Sequence, residues 1–160
     1  MTAPVLQEVA LRPATPEDRA FLLSVYAAAR AAELDQVTWP PGARETFLEM
    51  QFNAQDGEYH RLNPHASFDV VVVAGEPAGR LYVDRRPGEL RVIDISLLPA
   101  FRGRGLGGAL LAGLQAEAAA EGGVVSLQVD RFNPAARLYE RLGFEQVEDL
   151  GVYRCLEWRP

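Results

Sequence analysis

Between Arg102 and Gly108 the chain reads Arg-Gly-Arg-Gly-Leu-Gly-Gly. Residues of these types at this spacing are suited to holding phosphate. Without Cβ atoms at Gly103, Gly105, Gly107 and Gly108, the backbone N–H groups around Leu106 can turn inward and approach an anion closely. Arg102 and Arg104 supply counter-charge. The helix-like segment Ala-Leu-Leu-Ala-Gly-Leu-Gln-Ala-Glu begins immediately afterwards, and its N-terminus adds the positive end of a dipole.

The loop needs a strand before it and a helix after it. Leu90 to Leu98 is an apolar run ending at Pro99, and a helix is expected from about Gly105 to Glu121. Upstream, Leu6 to Arg12 alternate weakly as a first strand. Thr15, Pro16 and the acids Glu17 and Asp18 then form a helix-start signal, predicting a helix over 16–34 with Phe21, Leu22, Val25 and Ala29 facing a core. A second helix is predicted over 43–59, carrying Phe47, Leu48, Met50 and Phe52. The runs 68–74, 79–84 and 90–98 are separated by short turn-rich links and read as an antiparallel meander. A helix between the runs 90–98 and 124–129 argues for parallel pairing across it. Asn133 and Pro134 resemble an N-cap and first helical residue, with Gly143 as the stop; strands 144–148 and 152–158 close the chain as a hairpin. The order βααβββαβαββ predicts a single-domain α/β fold over 1–160: a mixed, mostly antiparallel sheet with helices on both faces.

Composition narrows the partners. The formal charge of −6 argues against a nucleic-acid binder, whose electrostatic footprint would be a basic face. All sixteen basic residues are Arg, which excludes a Walker-type phosphate loop and a Schiff-base lysine. The lone Cys155 cannot form an internal disulfide, the first residues have no secretory-leader pattern, and no run approaches a membrane span. A cytoplasmic protein with no membrane partner is expected.

Gly103-x-Gly105-x-x-Gly108 also satisfies the dinucleotide fingerprint, with Asp130 where a ribose-binding acid would lie. Context opposes that reading. Pro99-Ala-Phe-Arg102 separates strand from glycines, antiparallel hairpins precede the loop, and too little chain follows Asp130 for further βα units.

A better match joins Arg102-x-x-Gly105-x-Gly107, after a strand ending Leu97-Leu98-Pro99, to Asn133-Pro-Ala-Ala-Arg-Leu-Tyr139-Glu-Arg-Leu-Gly143-Phe144. Together, in this order and separated by a helix and a strand, these motifs resemble the GCN5-related N-acetyltransferase (GNAT) superfamily. The resemblance implies an acyl-CoA N-acyltransferase that uses acetyl-CoA, or another acyl-CoA, and no metal. It would move the acetyl group to a primary amine of a small molecule or peptide by direct transfer in a ternary complex.

In such enzymes the fourth and fifth strands splay, and pantetheine bonds to strand-four backbone, here Leu97 and Leu98. The pyrophosphate would lie over the amides from Gly103 to Gly108, with Arg102 and Arg104 beside it. Tyr139 would protonate the departing thiolate, Asn133 would hold the cofactor or fix local geometry, and an amide of Leu97 or Leu98 would polarise the carbonyl. Read on their own residues, Tyr139 is also a core aromatic on an amphipathic helix and Asn133 an N-cap.

The general base is less legible. By strict alternation Asp94 shares a face with Val92 and Ser96 and could relay a proton through water, or it could pair with one of the many arginines. His60 and His65 read as solvated. Thr38, Trp39 and Tyr153 are candidate acceptor walls, and Glu45, Glu49, Asp56 and Glu58 on the second helix read first as a solvated acidic face. A non-catalytic acyl-CoA-binding or sensing module is the alternative, and the terminal hairpin's edge strand is compatible with a homodimer.

Overall fold

A computed structural model describes residues 8–131 and 133–160. The expected start of the first strand, at Leu6, lies outside the described residues. Seven strands, β1 (Val9–Pro13), β2 (Ser67–Val73), β3 (Glu76–Arg86), β4 (Glu89–Leu97), β5 (Val124–Asp130), β6 (Glu145–Asp149) and β7 (Tyr153–Trp158), form one sheet ordered β1-β2-β3-β4-β5-β7-β6. Every pairing is antiparallel except β4 with β5. The meander and the parallel crossover are as the pattern predicts. The chain's last strand lies inside β6, which takes the edge.

Helices α1 (Arg19–Leu34) and α2 (Ala43–Leu62) pack on one face, where Leu22, Tyr26, Phe52 and Val70 form a core cluster. On the other face, α3 (Leu106–Ala120) and the short α4 (Ala136–Arg141) cover a larger cluster including Val71, Leu81, Val92, Leu111, Leu127 and Tyr139. The apolar period of the helices and the alternation of the strands account for this layering. Within α1 the buried stripe is Leu22, Val25, Tyr26 and Leu34, with Phe21 half-buried and Ala29 exposed. No helix among the described residues is long and apolar enough to cross a membrane.

Thr15 caps the first helical segment with Pro16 at its first position, as expected, but its opening turn is 3-10; the start of α4 differs from expectation, for a local reason. Pro16–Asp18 is a 3-10 turn, and the α-helix begins at Arg19. The Asp18 carboxylate turns back to accept the Thr15 N–H at 2.8 Å and the Arg12 guanidinium at 2.8 Å on each oxygen, tightening that turn. Asn133 is not the N-cap. Its Oδ1 accepts the Ala135 N–H at 2.7 Å, closing a turn over Pro134, so the helix starts at Ala136. Gly143, at φ +90°, ends α4 as expected, with the Phe144 N–H donating to the Tyr139 carbonyl.

Candidate functional site

The site begins where two strands part. β4 and β5 pair only from Glu89 with Val124 to Val92 with Leu127. Beyond that point β4 continues along β3 and β5 continues along β7, leaving a gap between them. Ile93 is the extra residue of a bulge: Val83 faces Val92, whereas Tyr82 faces Asp94. A bulge reverses side-chain parity and sharpens local twist, so the strand turns away from its neighbour here.

This reversal corrects the expected faces. Val92 lies in the α3-side core, whereas Asp94 and Ser96 pair with Tyr82 and Arg80 on the side of α1 and α2. Gly79 permits the close approach of β3: an added Cβ would lie 2.1 Å from the Ser96 carbonyl oxygen. The Leu98 N–H donates to the Ala78 carbonyl at 2.8 Å, so by antiparallel alternation Leu97 directs its backbone groups toward the gap. The amide of Leu98 is therefore engaged with β3, and that of Leu97 is the one presented. The Leu97 carbonyl accepts the Arg102 Nε–H at 2.9 Å, anchoring the loop to the strand end.

The glycine loop sits at the mouth of this gap. Gly103 and Gly105 have φ of +72° and +77°, a conformation that L side chains rarely adopt. Gly105 caps α3, leaving the N–H groups of Leu106, Gly107 and Gly108 in the first helical turn, where no intrahelical acceptor exists. Arg102, Gly103, Arg104 and Gly105 are exposed, and the Arg104 guanidinium lies 5.2 Å from the Phe101 ring centroid. These amides and the flanking guanidinium groups fit a pyrophosphate. Leu138 of α4 packs against this turn, 3.5 Å from where a Cβ on Gly108 would stand. That contact brings Tyr139 to the same end of the sheet.

Tyr139 is 6% exposed, edge-on to Phe144, and no described residue hydrogen-bonds its hydroxyl. Burial pushes its phenol above the ordinary value, and the charge of Asp94 adds to that rise.

Asp94 is deeply engaged. Its Oδ2 accepts from Arg80 Nη2 at 2.7 Å and from the Tyr59 hydroxyl at 3.3 Å, and its Oδ1 accepts from the Ser96 hydroxyl at 2.7 Å. Arg80, 2% exposed, also donates to Gln55 Oε1 at 2.8 Å, while its Nε and Nη1 are buried without a partner. Burial, and then Asp94, raise the Tyr59 phenol, keeping it a donor.

Arg80 and Tyr59 were not singled out by motif. The signal was present in the alternation: Arg80 falls at a core-facing parity of an apolar strand, and a charge there requires a counter-charge. Asp94 supplies it, as the arginine pairing considered from the sequence requires.

The other candidates lie elsewhere. His60 stacks on Phe68 at 3.9 Å, and His65 is exposed. Trp39 donates its indole N–H to the Leu34 carbonyl and, with Pro41, Phe47 and Met50, lines an apolar depression of about 590 Å³ in the α1–α2 link. Tyr153 stands on the terminal hairpin, opposite Asp130. No cluster of potential metal ligands occurs among the described residues.

A protein-family profile described as an acetyltransferase (GNAT) domain matches residues 65–146, which include β4, the glycine loop, α3, β5 and α4. Solved structures share the fold along nearly the whole chain. The PaiA N-acetyltransferase of Thermoplasma acidophilum, in complex with coenzyme A, superposes with a TM-score of 0.71 at 15% identity, covering 96% of this chain and 99% of that one. An acetyltransferase from Thermus thermophilus has a TM-score of 0.71 at 21% identity, covering 99% and 100%. The ribosomal-protein-S18-alanine N-acetyltransferase of Escherichia coli has 0.63 at 20%, covering 95% and 94%. At these identities the likeness establishes fold alone, but the profile spans just over half of the sequence and contains both motifs, so this chain belongs to the GNAT acetyltransferase family.

Proposed function

We propose that the protein transfers an acetyl group directly from acetyl-CoA to a primary amine, of a small molecule or peptide, within a ternary complex. The observation carrying this reading is the convergence on one sheet end of three features: the β4–β5 gap, the glycine loop at its mouth and the short helix α4 that carries Tyr139. The coenzyme A complex of the Thermoplasma relative supports acyl-CoA as the donor.

In this reading the amides from Gly103 to Gly108, with Arg102 and Arg104, hold the pyrophosphate. The backbone of Leu97 and Leu98 guides the pantetheine arm. The Leu97 N–H polarises the thioester carbonyl, because the Leu98 N–H is already donated to Ala78. A neutral amine attacks, its nitrogen gives up a proton to solvent water, the C–S bond breaks and the thiolate takes the Tyr139 proton, which solvent then returns to the phenolate. A phenol raised by burial remains protonated until the thiolate forms. Asn133 acts through the turn it closes ahead of α4. Asp94, already accepting three hydrogen bonds, serves as an orienting carboxylate rather than as an unencumbered base.

Incubation with acetyl-CoA and a panel of primary amines, amino-terminal peptides and aminoglycosides tests the reading through CoA release. Tyr139→Phe is expected to lower kcat by about 10²-fold, in the range of general acid catalysis, with acetyl-CoA affinity unchanged. Unchanged turnover would remove Tyr139 from the mechanism. A thermal shift with acetyl-CoA but no CoA release from any amine would favour the non-catalytic binding module.

A further inference from the structure

We propose that Ser96 receives and orients the acceptor amine, and that Asp94, Arg80 and Tyr59 are positioning residues that keep the Ser96 hydroxyl proton turned away from it. This rests on the acetyltransferase reading above.

A serine hydroxyl has one proton and two acceptor lone pairs, and it ordinarily rotates. Here the proton is committed: Ser96 Oγ donates to Asp94 Oδ1 at 2.7 Å, and no described residue donates to Ser96 Oγ in return. The group therefore presents acceptor lone pairs only. Asp94 is itself fixed on its other oxygen by Arg80 Nη2 at 2.7 Å and by the Tyr59 hydroxyl. Gln55 on α2 fixes the guanidinium in turn. The Arg80 and Asp94 side chains are 3% and 13% exposed, so water does not screen the pair. Ser96 is half-buried, one residue before the Leu97 amide that faces the gap.

That placement bears on nucleophilicity. An amine attacks a thioester with its nitrogen lone pair, so its N–H bonds should meet acceptors while the lone pair stays unbound. A freely rotating hydroxyl could donate to that lone pair and suppress attack. With its proton locked on Asp94, Ser96 can only accept from the amine, and the neighbouring Leu97 N–H can only donate to the carbonyl under attack. One dipeptide thus presents opposite polarity to the two reactants. The Ile93 bulge makes this possible by turning Asp94 and Ser96 together toward the side of α1 and α2.

The test uses the intact protein, acetyl-CoA and whichever amine in the panel the wild type turns over fastest. Ser96→Ala is expected to lower kcat/KM for that amine by about 10- to 50-fold, the loss of one hydrogen bond made to the reacting group, with the Kd for acetyl-CoA unchanged. Ser96→Thr, which keeps the hydroxyl, is expected to restore most of the loss. Asp94→Asn should lower kcat/KM comparably, and adding it to Ser96→Ala should cost nothing further, because Asp94 acts through Ser96. Since Asp94→Asn leaves the Arg80 charge buried without its partner, Arg80→Met combined with Asp94→Asn is measured beside it and should show the same acceptor defect in a folded protein.

Wild-type turnover with an unimpaired Ser96→Ala overturns this inference alone, as do multiplicative losses in the double variant. An absence of CoA release from the wild type with every amine overturns the acetyltransferase reading, and this inference with it.

Discussion

Two aspartate–arginine pairs in this molecule use the same groups toward different ends. Arg12 and Asp18 meet in a two-pronged contact, 2.8 Å on each oxygen, and the Thr15 N–H adds a third donor at 2.8 Å. Arg80 and Asp94 share one contact of 2.7 Å, with Tyr59 and Ser96 as further donors and two guanidinium nitrogens left buried without partners. The first pair ties strand β1 to the turn before α1 and spends its hydrogen bonds on folding. The second lies beside the β4–β5 gap and fixes Ser96, whose lone pairs remain open. A pair that serves the fold is closed on itself, while the second pair ends in a hydroxyl that accepts from no described residue.

Exposure of the arginine separates the pairs energetically, since the two carboxylates are similarly enclosed at 11% and 13%. The Arg12 side chain is 44% exposed and that of Arg80 only 3%. Arg80→Met alone is therefore expected to destabilise the fold by about 3–5 kcal/mol in urea unfolding, because Asp94 is left charged and enclosed. Adding Asp94→Asn should recover most of that loss. A single variant costing less than about 1 kcal/mol, as a surface pair does, would erase the distinction between the two pairs.

A somewhat smaller effect is expected from Gly79→Ala, whose Cβ would stand 2.1 Å from the Ser96 carbonyl oxygen and force β3 and β4 apart. About 1–3 kcal/mol of overpacking strain should appear as a lower Tm, together with an acceptor defect like that of Ser96→Ala. A Tm loss without the kinetic defect would show that the register of β3 against β4 does not position Ser96.

The smallest effect belongs to the pair with the exposed arginine. Arg12, and then the Thr15 N–H, hold the Asp18 carboxyl well below the ordinary carboxylate range. A depressed folded-state value means that the stabilisation is complete above the ordinary value, about pH 4, and fades as pH falls through the lower folded value. Asp18→Asn should thus lower Tm modestly at neutral pH, and the difference from wild type should close only below about pH 4. A gap of constant size across that range would assign the loss to the turn rather than to the charge.

Much of the fold was legible because local chemistry announces it. Gly105 and Gly143 mark the start of α3 and the end of α4, and both take positive φ where a side chain would be strained. The glycine loop is legible for the same reason. Less legible were Asn133, whose side chain closes a turn rather than capping the helix, and Arg80, whose partner lies on another strand. Phe47 and Met50 follow an apolar helical period, yet they are 39% and 63% exposed beside Trp39. Periodicity identifies a face but not what covers it.

By itself, then, the sequence determined the order of elements, the loop that opens α3 and the paired motifs around Arg102 and Tyr139, because turn chemistry, periodicity and helix ends act over a few residues. Only the tertiary structure decided that β7 lies inside β6, that β4 leaves β5 after Val92, and that Asp94 and Ser96 face away from Val92. The last of these turns on Ile93. A bulge inserts one residue without a compositional mark, and with a side-chain period of two, that residue reverses every position beyond it.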